Sequence, residues 1–243
     1  MTAPAAAPVN RTSEHRFYAG MAVAILATVL VGFGRTFFLA RWFPEVQHLA
    51  APETFFYVHG AIFTAWMLLL LLQPVLVARQ RTDLHRKLGW VGAALAAAMI
   101  GVGFEGALLA ARRPGGFMGL DIPAAVFLIV PLLDIALFAL FVGLAIARRR
   151  DLQAHKRLML VGTISILGAA VARLPLSFMV GPIAFFVGTD LFLLPLVVWD
   201  LKSRGRLHPV TLWGGLLLIA SQPFRLWFSG TETWLGFARW LIG

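Results

Sequence analysis

The apolar residues of this chain fall into seven long runs separated by short polar segments. The runs cover about residues 17–34, 54–78, 88–111, 122–147, 157–179, 183–200 and 210–228. A helix needs about 20 residues to cross the hydrocarbon of a bilayer, and none of the runs alternates with the period of two typical of membrane strands. The pattern therefore predicts an all-α transmembrane bundle of seven spans, although the first, sixth and seventh runs are near the short limit.

The segment before the first run is rich in alanine, proline and polar residues. We expect residues 1–16 to form a disordered lead and residues 17–243 to form a single seven-helix domain. A cleaved signal peptide would begin with its positive charges and end at small residues. Here Arg11 and Arg16 follow the Ala/Pro stretch, so the first run is interpreted as an uncleaved span.

The composition agrees with a lipid-facing protein rather than with a soluble one. Hydrophobic residues make up 60% of the chain and charged residues 13%, and the mean hydropathy is +0.83. Soluble domains are about half apolar and about a quarter charged, so we expect the lipid bilayer to contact the outer surface. The lack of cysteine excludes disulfides, thiolate metal sites and cysteine nucleophiles.

The net charge of +10 does not indicate nucleic-acid binding, because the cations form short clusters between apolar runs rather than a stripe. The cation-rich loops contain Arg79, Arg81, Arg86 and Lys87, then Arg148, Arg149, Arg150, Lys156 and Arg157, and finally Lys202, Arg204 and Arg206. Cytoplasmic loops of membrane proteins carry an excess of Lys and Arg. The bias therefore predicts a cytoplasmic N-terminus and, with seven spans, a C-terminus on the far side.

Five charged residues lie within the predicted spans and away from the first and last residue of each: Glu105, Asp134, Arg173, Asp190 and Arg225. Such residues usually face the bundle interior and have partners, because an exposed charge in lipid is costly. Arg173 and Asp190 each lie about eight residues from the turn at Gly181-Pro182, which predicts equal depth and an ion pair. The pair would be either a clamp between two helices or a charge relay or anion site.

Histidines form a second group of candidates. His59 and Gln73 lie on one face of the second span, with His59 one turn inside its outer boundary. His85 and His155 each precede a span at the cytoplasmic boundary, and we expect them at equal depth. The histidines could ligate haem or a divalent metal. Equally, His59 could bond to another helix, and His85 and His155 to neighbouring carbonyls or lipid phosphates.

The spacing of these residues resembles that of a known family. The chain contains His59, then Gln73, then His85-Arg86-Lys87-Leu88-Gly89, and later His155-Lys156-Arg157-Leu158-Met159. Over roughly residues 55–175 this pattern is similar to bacterial multi-span membrane proteins catalogued as a domain of unknown function, in which Trp often replaces a middle residue of the second element. The resemblance implies that His59, His85 and His155 are signature residues, and it implies a bacterial inner-membrane location.

Three classes of function follow from these candidates. The first is a haem-binding or redox-linked protein, with haem b as the cofactor and His59, His85 and His155 as ligands. The second is a small proton-coupled transporter that uses the intramembrane charged residues. The third is a non-catalytic accessory subunit of a larger membrane complex. The partner could be such a complex or, in a homo-oligomer, further copies of the chain. Signatures of soluble enzymes such as a Gly-rich phosphate loop or HExxH are absent from the sequence.

Overall fold

A computed structural model of the chain describes residues 11–44, 54–117, 121–175 and 181–243. These residues are mostly helical and contain no β-strand. The predicted all-α class is therefore confirmed for the described part of the chain.

We number the main helices in chain order. They are α1 (Arg11–Gly32), α2 (Thr54–Ala78), α3 (Thr82–Arg112), α4 (Ala124–Ala147), α5 (Leu152–Ser165), α6 (Ile183–Arg204), α7 (Gly215–Phe228) and α8 (Glu232–Ile242). Within the described residues, five of them are long and apolar enough to cross a bilayer, namely α1 to α4 and α6. These five correspond to the first, second, third, fourth and sixth runs.

The fifth and seventh runs are helical but irregular. Helix α5 ends at Ser165, whose hydroxyl donates to the Gly162 carbonyl at 2.8 Å, and a short helical turn, Gly168–Val171, follows it. Hydroxyl bonds to the preceding turn of a helix often bend it. Helix α7 is preceded by a π-helical turn, Val210–Gly214. The described residues therefore provide helix in every predicted run, but not seven uninterrupted helices.

Helix α1 begins earlier than the apolar pattern predicts. It starts at Arg11, inside the expected disordered lead, while residues 1–10 lie outside the described residues. Glu14 explains the extension, because its carboxylate forms an ion pair with the Lys156 ammonium at the start of α5. The beginnings of α1 and α5 therefore lie at the same end of the bundle.

Helix α8 was not predicted, since 11 residues are too few to form a span. The Trp234 indole of α8 donates to the Ala125 carbonyl at 2.8 Å. The Arg112 guanidinium donates to the carbonyls of Leu241 and Ile242 at 2.9 and 2.8 Å. Cations commonly cap the last carbonyls of a helix, so α8 is tied to the end of α3 and the start of α4.

Small residues allow α2 and α3 to approach each other closely. Gly92, Ala96, Gly103 and Gly106 form a buried face of α3. A Cβ atom at Gly106 would lie 3.1 Å from His59 Nδ1 of α2. On the outer faces of the bundle, by contrast, large apolar side chains are exposed, including Trp90, Ile183, Leu194, Trp213 and Trp227. Such a surface is typical of contact with lipid.

Candidate functional site

Four polar side chains from three helices meet inside the bundle and form what we call the central polar cluster: Asp134, Asp190, Gln222 and Arg225. Arg225 Nη1 of α7 donates to Asp134 Oδ1 of α4 at 2.5 Å. Gln222 Nε2, also of α7, donates to Asp190 Oδ1 of α6 at 2.7 Å. Since residues three apart share a helix face, α7 joins both carboxylates.

The three charged members are separated by similar numbers of residues from one end of their helical segments. Asp134 is about 13 residues before the end of α4, Asp190 about 14 before the end of α6, and Arg225 about 15 after Val210. At 1.5 Å per residue, each lies roughly 20 Å from the same end of the bundle. In a hydrocarbon layer of about 30 Å, this distance would place the cluster away from both surfaces.

Arg225 is only 3% exposed, and both of its terminal nitrogens, Nη1 and Nη2, donate to nearby acceptors. Besides Asp134, its guanidinium donates to Ser221 Oγ at 3.2 Å and to the Val130 carbonyl at 3.4 Å. It also lies 5.6 Å from the centre of the Phe186 ring. Charge-assisted bonds of this kind are about twice as strong as neutral ones, and they hold Arg225 as the counter-ion of Asp134.

A small enclosed space lies beside the ion pair. Its volume is about 10 Å³, which is about the room that one water molecule needs. Its polar lining consists of Asp134, Ser165, Thr189, Gln222 and Arg225, and its apolar lining includes Phe185, Phe186 and Leu218. The space reaches from the Asp134 carboxylate to the side-chain amide of Gln222. This amide donates to Asp190.

The predicted ion pair between Arg173 and Asp190 is wrong. Asp190 accepts from Gln222, whereas the Arg173 guanidinium donates to the Ala169 carbonyl at 2.7 Å and lies 4.9 Å from the centre of the Phe33 ring. The prediction counted residues along an unbroken fifth helix. Since α5 ends at Ser165, that count does not give the depth of Arg173.

Glu105 also lies outside the central polar cluster. It is exposed on α3 and forms no ion pair with any described residue. Of the five intramembrane charges expected from the sequence, the structure therefore brings together Asp134, Asp190 and Arg225. The other two, Glu105 and Arg173, point towards the periphery.

Gln73, His85 and His155 form a second group, the histidine cluster. Gln73 Nε2 donates to the His85 carbonyl at 3.4 Å, and the imidazoles of His85 and His155 are near enough to interact electrostatically. His155 Nδ1 lies 2.9 Å from the Ala145 carbonyl. A carbonyl only accepts, so Nδ1 is the donor of this bond. In a neutral imidazole that arrangement leaves the lone pair on Nε2, as in most metal-binding histidines.

His59 is not part of the histidine cluster. Its ring stacks on Phe63 with a centroid distance of 4.2 Å, and Nδ1 lies 3.3 Å from the Val102 carbonyl. His59 precedes Gln73 by about 14 residues of α2, which is roughly 21 Å. Among the described residues, no group of three or more His, Asp or Glu side chains could hold a metal ion.

Sequence reasoning missed a buried ion pair between Arg157 of α5 and Asp200 of α6, the Arg157–Asp200 clamp. Both residues are completely buried. Arg157 Nε donates to Asp200 Oδ1 at 3.0 Å, and Asp200 Oδ2 accepts from Thr211 Oγ1 at 2.5 Å and from the His208 amide at 2.9 Å. The only signal in the sequence is an aspartate at the end of an apolar run, beside a basic loop.

Comparison with known proteins leaves the activity to be inferred from these clusters. No protein-family model, curated protein or solved structure matches this chain.

Proposed function

We propose that the chain is a multi-pass protein of the bacterial inner membrane that crosses the bilayer seven times, with its N-terminus in the cytoplasm. Five helices are long and apolar enough to cross, and the interrupted fifth and seventh runs supply two more crossings. The beginning of α1 lies at the end of the bundle that carries the start of α5 and its basic loop. Basic loops favour the cytoplasmic side.

Within that membrane frame, we propose that the protein is a small proton-coupled carrier and that the central polar cluster handles the proton. One observation carries the proposal: two interior carboxylates, Asp134 and Asp190, are bound by neighbouring side chains of a single helix, α7. Ionisable groups within spans commonly form proton relays. Asp134 is bound by a cation and Asp190 by a neutral amide, which suggests that the two carboxylates have different roles.

Asp134 has Arg225 as a counter-ion, so its charge is neutralised. Asp190, in contrast, forms no ion pair with a described residue, and its partner Gln222 is a neutral amide. An ionised carboxylate without a counter-ion is costly in the bilayer. Asp190 is therefore the member of the cluster suited to taking up a proton and to releasing it when water has access.

Helix α7 can transmit the change from one carboxylate to the other. A protonated Asp190 would still offer an acceptor oxygen to Gln222 Nε2, but the loss of its negative charge would weaken that bond. Pro223 lies between Gln222 and Arg225 in α7, and proline removes a backbone hydrogen bond and bends a helix. Movement of α7 at this point would then weaken or strengthen the pair between Arg225 and Asp134.

Proton movement in liposomes tests the carrier. Purified protein would be reconstituted with an internal pH-sensitive dye and screened with small organic acids, amino acids and sugars. We expect at least one solute to cause protons to cross the liposome membrane together with it. We expect Asp190→Asn and Asp134→Asn to abolish this proton transport. Glu105→Gln is the matched control, because it removes an exposed carboxylate. Equal movement in all four proteins, or none with any solute, would contradict the proposal.

The histidine cluster favours haem-linked or other redox activity as a second candidate. Its support is the orientation of His155 by the Ala145 carbonyl, close to His85. An absorption spectrum of the purified protein, before and after reduction with dithionite, is the test. We expect a Soret band that His85→Ala and His155→Ala remove and that the distant His59→Ala retains. Absorption by aromatic residues alone would contradict haem binding.

A further inference from the structure

A long groove on the outside of the bundle is not used by either cluster. It has a volume of about 290 Å³ and lies between α4, α5 and the start of α7. Its apolar walls include Leu140, Leu144, Leu158, Trp213 and Leu217, and Arg148 lies at one end. We call it the Arg148 groove.

The arrangement of residues along α4 gives the groove a direction. Leu140, Leu144 and Arg148 are four residues apart and so share one face of the helix. At 1.5 Å per residue, the apolar wall runs for roughly 12 Å before it reaches the Arg148 side chain. Arg148 is exposed at the end of α4, and it is followed directly by the exposed Arg149 and Arg150.

The nearby aspartate does not remove this positive charge. Asp151 is close to Arg148, but its Oδ1 accepts from the backbone amides of Gln153 and Ala154, both at 3.0 Å. Its carboxylate therefore serves as the N-cap of α5. The end of the groove remains a basic site on an otherwise apolar surface.

The groove also opens onto an apolar exterior. Leu140, Leu144 and Leu217 are each at least 40% exposed, and Trp213 is 68% exposed. Tryptophan is enriched at membrane interfaces. An occupant that fits must therefore combine an apolar chain with an anionic group at one end.

We propose that the Arg148 groove binds an anionic phospholipid, with an acyl chain along Leu140, Leu144 and Leu217 and the phosphate group at Arg148. The proposal rests on the membrane location of the protein, but it is independent of proton coupling. Basic residues beside a membrane attract anionic lipids of the cytoplasmic leaflet. The π-helical turn at Val210–Gly214 lies against the groove, so a bound lipid would brace the start of α7.

Lipid binding can be measured on the whole protein in detergent by native mass spectrometry and by thermal melting. Phosphatidylglycerol and phosphatidylcholine with identical acyl chains would be titrated in parallel. We expect phosphatidylglycerol to bind more tightly and to raise the melting temperature more. Arg148→Gln should weaken phosphatidylglycerol binding about fivefold and leave phosphatidylcholine binding unchanged.

Two further variants complete the design. Arg79→Gln removes an exposed cation at the same end of the bundle, outside the groove, and should behave as the unchanged protein. Leu217→Trp should fill the groove and weaken binding of both lipids, while glycerol phosphate, which lacks acyl chains, should not compete. Equal affinity for the two lipids, an unaffected Arg148→Gln variant, or a groove occupied by a second copy of the chain would overturn the proposal.

Discussion

At the scale of the residue, chemistry depends on partners that are distant in the sequence. Arg157 and Asp200 are 43 positions apart, yet each is the main partner of the other in a completely buried pair. In the central polar cluster, the 91 positions between Asp134 and Arg225 are likewise bridged by one charge-assisted bond. A buried charge without a partner is costly. Replacing one residue of a pair should therefore have a measurable effect on stability.

Removing one partner of the Arg157–Asp200 clamp should strongly destabilise the fold. Asp200→Ala leaves the Arg157 guanidinium buried without a counter-ion, and the expected loss is about 3–5 kcal/mol. Thermal melting in detergent measures it. Asp83→Ala is the control, because Asp83 belongs to an exposed pair with Arg81 and exposed pairs contribute little to stability. Equal melting temperatures for the two variants would contradict a stabilising clamp.

His208 should make stability depend on pH. Burial, and to a smaller extent the charges of Arg157 and Arg204, lower the pKa of His208, against the opposing effects of Asp200 and Asp151. The folded state thus disfavours the protonated imidazole. Stability should be complete above the unfolded pKa of about 6.5 and should fall as the pH drops through that value towards the lower folded pKa.

Melting temperatures of the unchanged protein and of His208→Asn, measured across this pH range, test whether His208 causes the loss of stability on acidification. The Val210 amide donates to His208 Nδ1 at 3.1 Å. An asparagine at this position keeps an acceptor for that amide but does not titrate. We expect the variant to lose less stability on acidification. A parallel decline in both proteins would exclude His208 as the source.

At the scale of the element, short segments at helix ends decide how the helices meet. Asp151 ends the basic loop and begins α5 as its N-cap, a role that sequence alone can indicate. The end of α5 at Ser165 was not predicted, because the apolar run continues through residue 179. There α1 packs closely on the turn Gly168–Val171, a contact between segments more than 130 residues apart.

The contact of α1 with this turn should tolerate no side chain at Gly32. A Cβ atom there would overlap the Ala170 carbonyl oxygen and lie 2.9 Å from its carbon. Gly32→Ala should therefore destabilise the protein by about 1–3 kcal/mol, measured by thermal melting. In the same helix, Gly20→Ala is the control, since nothing lies within 4 Å of a Cβ at Gly20. A smaller effect at Gly32 than at Gly20 would contradict the close packing.

At the scale of the whole molecule, the number of crossings determines where the two ends lie. Seven crossings place them on opposite sides, whereas an even number would place them together. The chain has no cysteine, so single cysteines introduced at positions 15 and 232 can be labelled without background. We expect His15→Cys to react with a membrane-impermeant maleimide only from the cytoplasmic side and Glu232→Cys only from the other. Reaction of both from the same side would contradict seven spans.

The sequence predicted the positions of residues along the helices better than it predicted which residues pair with each other. The sequence predicted that His85 and His155 lie at equal depth where two helices begin, and each lies three residues after the first residue of its helix, α3 or α5. Their role as ligands stays a prediction. The central polar cluster was only partly predicted: Asp134, Asp190 and Arg225 were recognised as candidates, but their pairing was not. Pairing depends on the rotation and tilt of helices, and residue counts do not give either.

The sequence by itself determined the helical class, the positions of the apolar runs and the clustering of cations between them. These properties follow from local composition, because a bilayer requires long apolar helices. Only the tertiary structure decided that α5 stops at Ser165, that Gln222 rather than Arg173 binds Asp190, and that Arg157 is a buried partner rather than a loop cation. Each depends on which helix faces lie together, and packing between distant segments decides that.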